Sequence, residues 1–230
     1  MPNSIKIRLW IIWPFLLVFF SACAKTPFEK VDFKSVAHLE PNRVRENFEK
    51  LLPSSFEVME SAVYIYKGLQ IAVISYTRVN EKEDSVEIIG FNPLGLKLVQ
   101  VQASGAQVKY SFNIPQIKKR VDEETLAEAI AEDIRRIYFG RVPPANACAL
   151  KEKGKIVVEQ KKGEDKIEWV FGGPDNRLYQ KHYFRGKREV WSVRYFEYED
   201  NGGYLYPCKI FLENYDHKYK LVLRLKEIFE

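Results

Sequence analysis

From Phe56 onward the hydrophobic residues of this chain fall mostly on every second position. Alternating runs cover Val58–Lys67, Leu69–Val79, Ser85–Phe91, Gly95–Val101 and Ala106–Ser111. A second set follows at Lys155–Gln160, Lys166–Phe171, Asn176–Arg185, Glu189–Glu199, Tyr206–Glu213 and Lys218–Lys226. A period of two predicts half-buried strands. Only a few turn residues separate neighbouring runs, among them Ser104-Gly105, Gly172-Gly173-Pro174 and Asn201-Gly202-Gly203. Such short links predict antiparallel hairpins, because a parallel return needs a long crossover. The last run is the clearest: Tyr219, Leu221, Leu223 and Leu225 share one face, opposite Lys218, Lys220, Arg224 and Lys226.

Two segments carry a helical period instead. Pro41-Asn42 opens a short helix with Val44, Phe48, Leu51 and Leu52 at helical spacing, and Pro53 ends it. Between the two strand sets, Leu126, Ile130, Ile134, Ile137 and Tyr138 form an apolar stripe, with Glu128 and Glu132 facing away. Asp122 is a suitable N-cap, Glu123 and Glu124 suit the positive end of the helix dipole, and Arg135 and Arg136 suit the negative end. Gly140 lies just past the end and Pro143-Pro144 prevents continuation. The expectation is a mainly β (α+β) domain: a single antiparallel sheet of about eleven strands with two helices. Two helices cannot cover a flat sheet of that size, so it should curl into a barrel or half-barrel with the helices inside.

The N-terminus follows a different pattern. Lys6 and Arg8 precede an apolar run from Leu9 to Phe20, then Ser21-Ala22-Cys23. A basic region, a 12-residue apolar region and small residues before a cut describe a secretory signal peptide. The run is shorter than the roughly 20 residues that span a bilayer, and Pro14 weakens a spanning helix. A cysteine directly after the small residues marks a bacterial lipoprotein signal, and the expectation is that residues 1–22 are removed and Cys23 carries a diacylglycerol and palmitate anchor; the alternatives are an uncleaved anchor helix or an ordinary secreted protein. Phe20 stands where leucine is usual. Residues 23–40 then read as the lipidated N-terminus and a tether, and 41–230 as the domain. Fully extended, the 17 residues 24–40 would reach at most ~60 Å.

Removing residues 1–22 takes away Lys6 and Arg8 and no acid, so the net charge falls from +5 to +3. That is too mild for a polyanion-binding role, and an exported chain would rarely meet nucleic acid. The remaining cysteines, Cys148 and Cys208, have two readings: a disulfide formed in an oxidising compartment, or two separate thiols. Closing that loop would constrain the unfolded chain by roughly 4 kcal/mol.

Catalytic patterns are missing from the sequence. His38, His182 and His217 share no metal-ligand spacing, and no phosphate loop, nucleophile elbow or dinucleotide fingerprint is present. Glu81, Glu83 and Asp84, and Glu197, Glu199 and Asp200, read as solvated turns, and Trp169 and Trp191 as core or cavity lining. The expectation is a protein that is not an enzyme and uses no cofactor or metal. One turn is unusual: in Asn92-Pro93-Leu94-Gly95 a leucine occupies a tight-turn tip. Leu94 could fold back on the domain, be tolerated in water, or form an apolar tip enlarged by Leu96.

Around this turn the chain resembles the LolB-type outer-membrane lipoprotein receptors and the wider LolA/LolB-like superfamily. The resemblance rests on Ile89-Gly90-Phe91-Asn92-Pro93-Leu94-Gly95 and the strand after it, and on the Asp122-led helix before Pro143-Pro144. It continues through Trp191-Ser192-Val193-Arg194-Tyr195, Tyr198 and Pro207 with the last two strands. It implies an incomplete barrel of about eleven strands whose helices close an apolar cavity for acyl chains. It also implies that Leu94 is the protruding leucine used at the membrane during lipoprotein delivery. Expected partners are the membrane, the acyl chains of lipoproteins or other lipids, and a soluble periplasmic LolA-like carrier, with the chain itself a monomer. Three features depart from the family pattern: Leu96 after the turn, the cysteine pair, and the segment near the anchor. Ala24 stands where Asp would favour inner-membrane retention in enteric bacteria, which points to the periplasmic face of the outer membrane. The alternative is a lipoprotein of this fold that binds another lipid or serves as a non-catalytic envelope-assembly adaptor.

Overall fold

Alternation over short runs builds hairpins, and the computed structural model joins all of them into one sheet. It describes Phe28 and residues 31–114 and 122–229; the expected signal peptide and Cys23 lie outside the described residues. The elements are α1 (Pro41–Glu49), β1 (Ser55–Tyr66), β2 (Leu69–Asn80), β3 (Ser85–Phe91), β4 (Lys97–Ser104), β5 (Gln107–Phe112) and α2 (Glu123–Tyr138). They continue with β6 (Cys148–Glu152), β7 (Lys155–Lys162), β8 (Asp165–Gly172), β9 (Arg177–Arg185), β10 (Arg188–Asn201), β11 (Tyr204–Asn214) and β12 (Tyr219–Phe229). The strand order is β5-β4-β3-β2-β1-β12-β11-β10-β9-β8-β7-β6, antiparallel throughout. Every pair of neighbours is consecutive in sequence except β1 and β12, where Val63 faces Val222 and Tyr66 faces Tyr219.

Pairing the first strand with the last moves the break in the sheet to the gap between β5 and β6. The chain crosses that gap with α2, which packs on β3, β4 and β5 and reaches β11. The result is a curled, unclosed half-barrel around a central helix. Bulges at Met59/Glu60, Gly90/Phe91, Val170/Phe171 and Glu189/Trp191 add local twist that helps the sheet curl. Twelve strands form where eleven were expected. The additional one, β6, is a mostly exposed edge strand with no apolar alternation, so its hydrogen bonding to β7 leaves no periodic signal.

The two halves of the curl are filled differently. On the β7–β11 side, Trp169, Phe171, Leu178 and Tyr195 are buried, and α1 inserts Phe48 edge-on to Phe171 (5.6 Å) and Tyr198 (6.1 Å). On the β1–β5 side, α2 lays Ala127, Ala131, Ile134 and Ile137 against the sheet. The Asp122 side chain caps it by accepting from the Thr125 backbone N–H at 2.8 Å.

Part of the stretch expected to be a free tether is packed on the domain. Val36 is buried in the main core, and Phe28 is buried on the outer face against Phe196, Phe211 and Val222. Phe28 and Val36 are buried, Val31 is half-buried, and Phe33, though exposed, meets Tyr179 edge-on at 5.2 Å, which accounts for their presence in a segment without a period. Phe33 lies across Gly172, whose φ is not in the left-handed region, so the backbone itself does not require glycine there. A side chain at Gly172 would run into the Phe33 ring. We expect Gly172→Val to displace this segment and destabilise the domain by roughly 1–3 kcal/mol, as other overpacking changes do. Faster proteolysis between residues 28 and 40 together with a lower unfolding midpoint would be the readout; unchanged values for both would remove the packing role.

Candidate functional site

The side of the curl that α1 does not fill holds a cavity of about 680 Å³. That volume is within the ~300–1,000 Å³ range of small-molecule sites. Its walls come from the inward positions of β1, β2 and β12, including Ala62, Val73, Leu221 and Leu223, and from Leu126, Ile130 and Ile134 of α2. The expected helical stripe is thus divided: Ile137 and Tyr138 are in the core, while Leu126 and Ile130 face the cavity. Lys67 of the β1–β2 turn and His217 of the β11–β12 turn line it, so the cavity reaches the end of the sheet where those turns lie.

The β3–β4 turn is at that same end, because alternate turns of an antiparallel meander share an edge. It is tightly organised. The Asn92 Oδ1 accepts from the backbone N–H of Leu94 (3.0 Å) and of Leu96 (2.9 Å). The Asn92 N–H donates to the Leu96 carbonyl at 3.0 Å, and Gly95, at φ +79°, donates to the Asn92 carbonyl at 2.9 Å. The Leu94 side chain, left with no wall to fold against, is 85% exposed, and Leu96 is 62% exposed.

Polar groups that the alternation and the helical stripe carry inward are the residues the sequence reading passed over. Asp133 lies three residues after Ile130 and four before Ile137, hence on the buried face of α2. Its carboxylate accepts from the Tyr219 hydroxyl (2.6 Å) and from Arg136 (2.9 Å). Burial pushes it up to about 6, against the pull of the Arg136 charge and these hydrogen bonds. Glu60 occupies an inward position of β1 between Val58 and Ala62 and is fully buried. It accepts from the hydroxyls of Tyr138 and Thr77, and burial pushes it up to about 7 despite both bonds. Both positions were legible from parity and helical spacing, had acids as well as apolar residues been followed through the pattern.

A third polar group holds the end of α2. The Tyr195 hydroxyl donates to the Ile137 carbonyl (2.6 Å), Arg141 Nε to Tyr138 (3.0 Å), Lys181 Nζ to Phe139 (2.7 Å) and Trp169 Nε1 to Gly140 (2.8 Å). Burial, then the neighbouring Arg141 charge, pushes Lys181 down to about 7. Two turn carboxylates expected to be merely solvated join in: Asp84 pairs with Arg135 at 2.9 Å, and Glu81 accepts from the Gly140 N–H at 2.8 Å. Trp169 is core, as expected, and Trp191 stacks on Tyr183 beneath Arg136.

The disulfide does not form. Cys148 is free and exposed on β6, and Cys208 is free and half-buried on β11. Four strands, β7 to β10, separate them in the sheet, whereas a bridge needs Cα atoms within ~4.4–6.8 Å. Sequence distance alone carried no information about that placement.

Glu60 should give the protein an unusual pH dependence. Its proton is held more tightly in the folded state (about 7) than at its ordinary value of 4.5. Its contribution is therefore full below pH 4.5 and lost as the pH rises through 7. Urea unfolding should show the wild type losing roughly 2–3 kcal/mol between pH 5 and 7 relative to Glu60→Gln. Parallel curves for the two proteins would remove Glu60 as the cause.

The fold matches known structures. A LolA superfamily protein from Nitrosomonas europaea superposes with a TM-score of 0.51 at 11% identity, covering 81% of this chain and 91% of its own. A DUF1329 family protein from Desulfovibrio piger gives 0.50 at 8% identity, covering 81% and 90%. At such identities the likeness concerns the fold alone, an open half-barrel shared with these proteins. No curated protein sequence matches the chain. The model of the family described as "Protein of unknown function (DUF3261)" matches residues 73–227, more than half of the chain, and the chain therefore belongs to that family.

Proposed function

We propose that this chain is a lipid-anchored envelope protein that takes acyl chains into its half-barrel and takes part in receiving and inserting lipoproteins at the outer membrane. The reading is carried by one observation: an apolar cavity of about 680 Å³ reaches the same end of the sheet from which the rigid Leu94 turn projects. No covalent bond is made or broken in this role. Acyl chains would arrive from a soluble LolA-like carrier, occupy the cavity between α2 and the β1–β2 hairpin, and pass into the bilayer. Each CH₂ transferred from a weaker apolar site to a better one contributes up to ~0.8 kcal/mol. Leu94 would gain roughly 1.5–3 kcal/mol on entering lipid, enough for reversible contact by a domain already held there.

Cys23, carrying the diacylglycerol, would supply that hold, and Ala24 supports an outer-membrane address. The docking of Phe28 and of residues 31–36 shortens the free part of the tether, which would keep the domain close to the surface. An adaptor role needs a packed interior and finds no support in a cavity of this volume. A lipoprotein of this fold that binds a different lipid remains the second reading, favoured by the ionic residues at the cavity rim.

Leu94→Glu should leave the unfolding midpoint within about 0.5 kcal/mol of wild type, as surface changes do, and impair delivery of a lipoprotein to liposomes severalfold. Unimpaired delivery would remove the role given to Leu94. Mass spectrometry of what copurifies with a Cys23→Ala form tests the cavity itself: bound lipid or acylated peptide is expected, and an interior without either would count against acyl binding.

A further inference from the structure

The cavity is amphipathic, and its hydrogen-bonding capacity is lopsided. Val73, Ile88, Val99 and Phe112 wall one part. Toward the rim, Tyr64, Tyr66 and Tyr219 face Asp133 and Arg136 of α2, with Lys67 and His217 from the adjoining turns. Both Asp133 oxygens are occupied, one by the Tyr219 hydroxyl and one by Arg136. Tyr219 also accepts from Asn214 Nδ2 at 3.1 Å. Arg136 is a five-donor fork that commits one nitrogen to Asp133, its plane lying over Trp191 at 5.9 Å. Among the described residues, the hydroxyls of Tyr64 and Tyr66 and the ammonium of Lys67 make no side-chain hydrogen bond; Lys67 lies 5.0 Å over the Tyr66 ring. Donors therefore remain free beside an acceptor whose two oxygens are each already engaged. Asp133 and Arg136 offset each other's charge, which leaves Lys67 as the unpaired cation of this collar among the described residues. Glu128 and Glu132 also border the cavity, but from the exposed side of α2, and Glu132 pairs with Arg135 at 3.7 Å.

We propose that this collar receives the anionic oxygen headgroup, carboxylate or phosphate, of a single-chain amphiphile whose acyl tail fills the apolar part of the cavity. This rests on the acyl-binding reading and narrows it to a ligand class. Arg136 and Lys67 can only donate and both are cationic, so an amine beside them meets like charge and must turn to the Tyr64 and Tyr66 hydroxyls or to Glu128 on the exposed side of α2. An alcohol of the same length fills the apolar part but leaves the charged donors without a counter-ion.

The test displaces a fluorescent acyl probe from the exported chain carrying Cys23→Ala, using palmitate, hexadecyl phosphate, hexadecanol and hexadecylamine. Palmitate or hexadecyl phosphate should compete about tenfold or more better than the alcohol and the amine, the value of one charge-assisted hydrogen bond. Their relative order then distinguishes a carboxylate from a phosphate. Arg136→Gln should collapse that advantage to about twofold while leaving hexadecanol unchanged. Lys67→Glu, an exposed turn substitution that the fold should tolerate, should weaken both anions about threefold and spare hexadecanol. Equal competition by all four compounds, or anion selectivity that survives both substitutions, would overturn the headgroup site and leave acyl binding standing. Failure of the probe to bind at all would overturn acyl binding itself, and the headgroup site with it.

Discussion

A helix carried inside a half-barrel brings four unsatisfied carbonyls at its C-terminus into a region where water cannot reach them. In this chain the carbonyls of Ile137 and Tyr138, and of Phe139 and Gly140 just past the helix end, accept from Tyr195, Lys181 and Trp169 of the sheet and from Arg141 of the following loop. Two of these donors are cations, which also suit the negative end of the helix dipole. Among the described residues no carboxylate bonds the buried Arg141 or Lys181, a state that would be costly anywhere else in the interior. The arrangement fixes both the depth and the direction of α2. The cavity is bounded by that placement, since α2 forms one of its walls.

The hollow follows from unequal filling. On the β7–β11 side the buried positions mix aliphatic residues with Trp169, Phe171, Trp191, Tyr195 and Tyr206, and α1 adds Phe48 between Phe171 and Tyr198. On the β1–β5 side mid-sized aliphatic residues, with Tyr64, Tyr66 and Phe112, face Leu126, Ile130 and Ile134, and α1 does not reach this space. Well-packed interiors leave few voids larger than a water molecule, so a cavity of hundreds of Å³ marks a departure from ordinary core packing. The pairing of β1 with β12 is what permits it, by placing the open seam of the sheet next to α2 rather than elsewhere on the circumference.

Much of this was legible along the chain. The period of two fixed nearly every strand, because inward residues must be apolar and outward ones need not be. The caps and charges of α2 followed from its helix ends, and the Asn92–Gly95 segment announced a tight turn with a leucine at its tip. β6 was not legible, since an exposed edge strand is held by backbone bonds that carry no side-chain pattern. The packing of Phe28 and of Val36 was missed because these residues join separate clusters and share no period. Glu60 and Asp133 obey the same patterns, but an acid at an inward position adds nothing to an apolar period.

The sequence by itself determined the alternation, the two helices, the turn that carries Leu94 and the expectation of a lipid-anchored N-terminus, all of which depend on neighbours within a few residues. Only the tertiary structure decided that β1 and β12 pair, that Cys148 and Cys208 lie four strands apart, and that one half of the curl stays open while the other is packed. These depend on contacts between residues distant along the chain, and a period of two states which face a residue occupies without stating what lies opposite it.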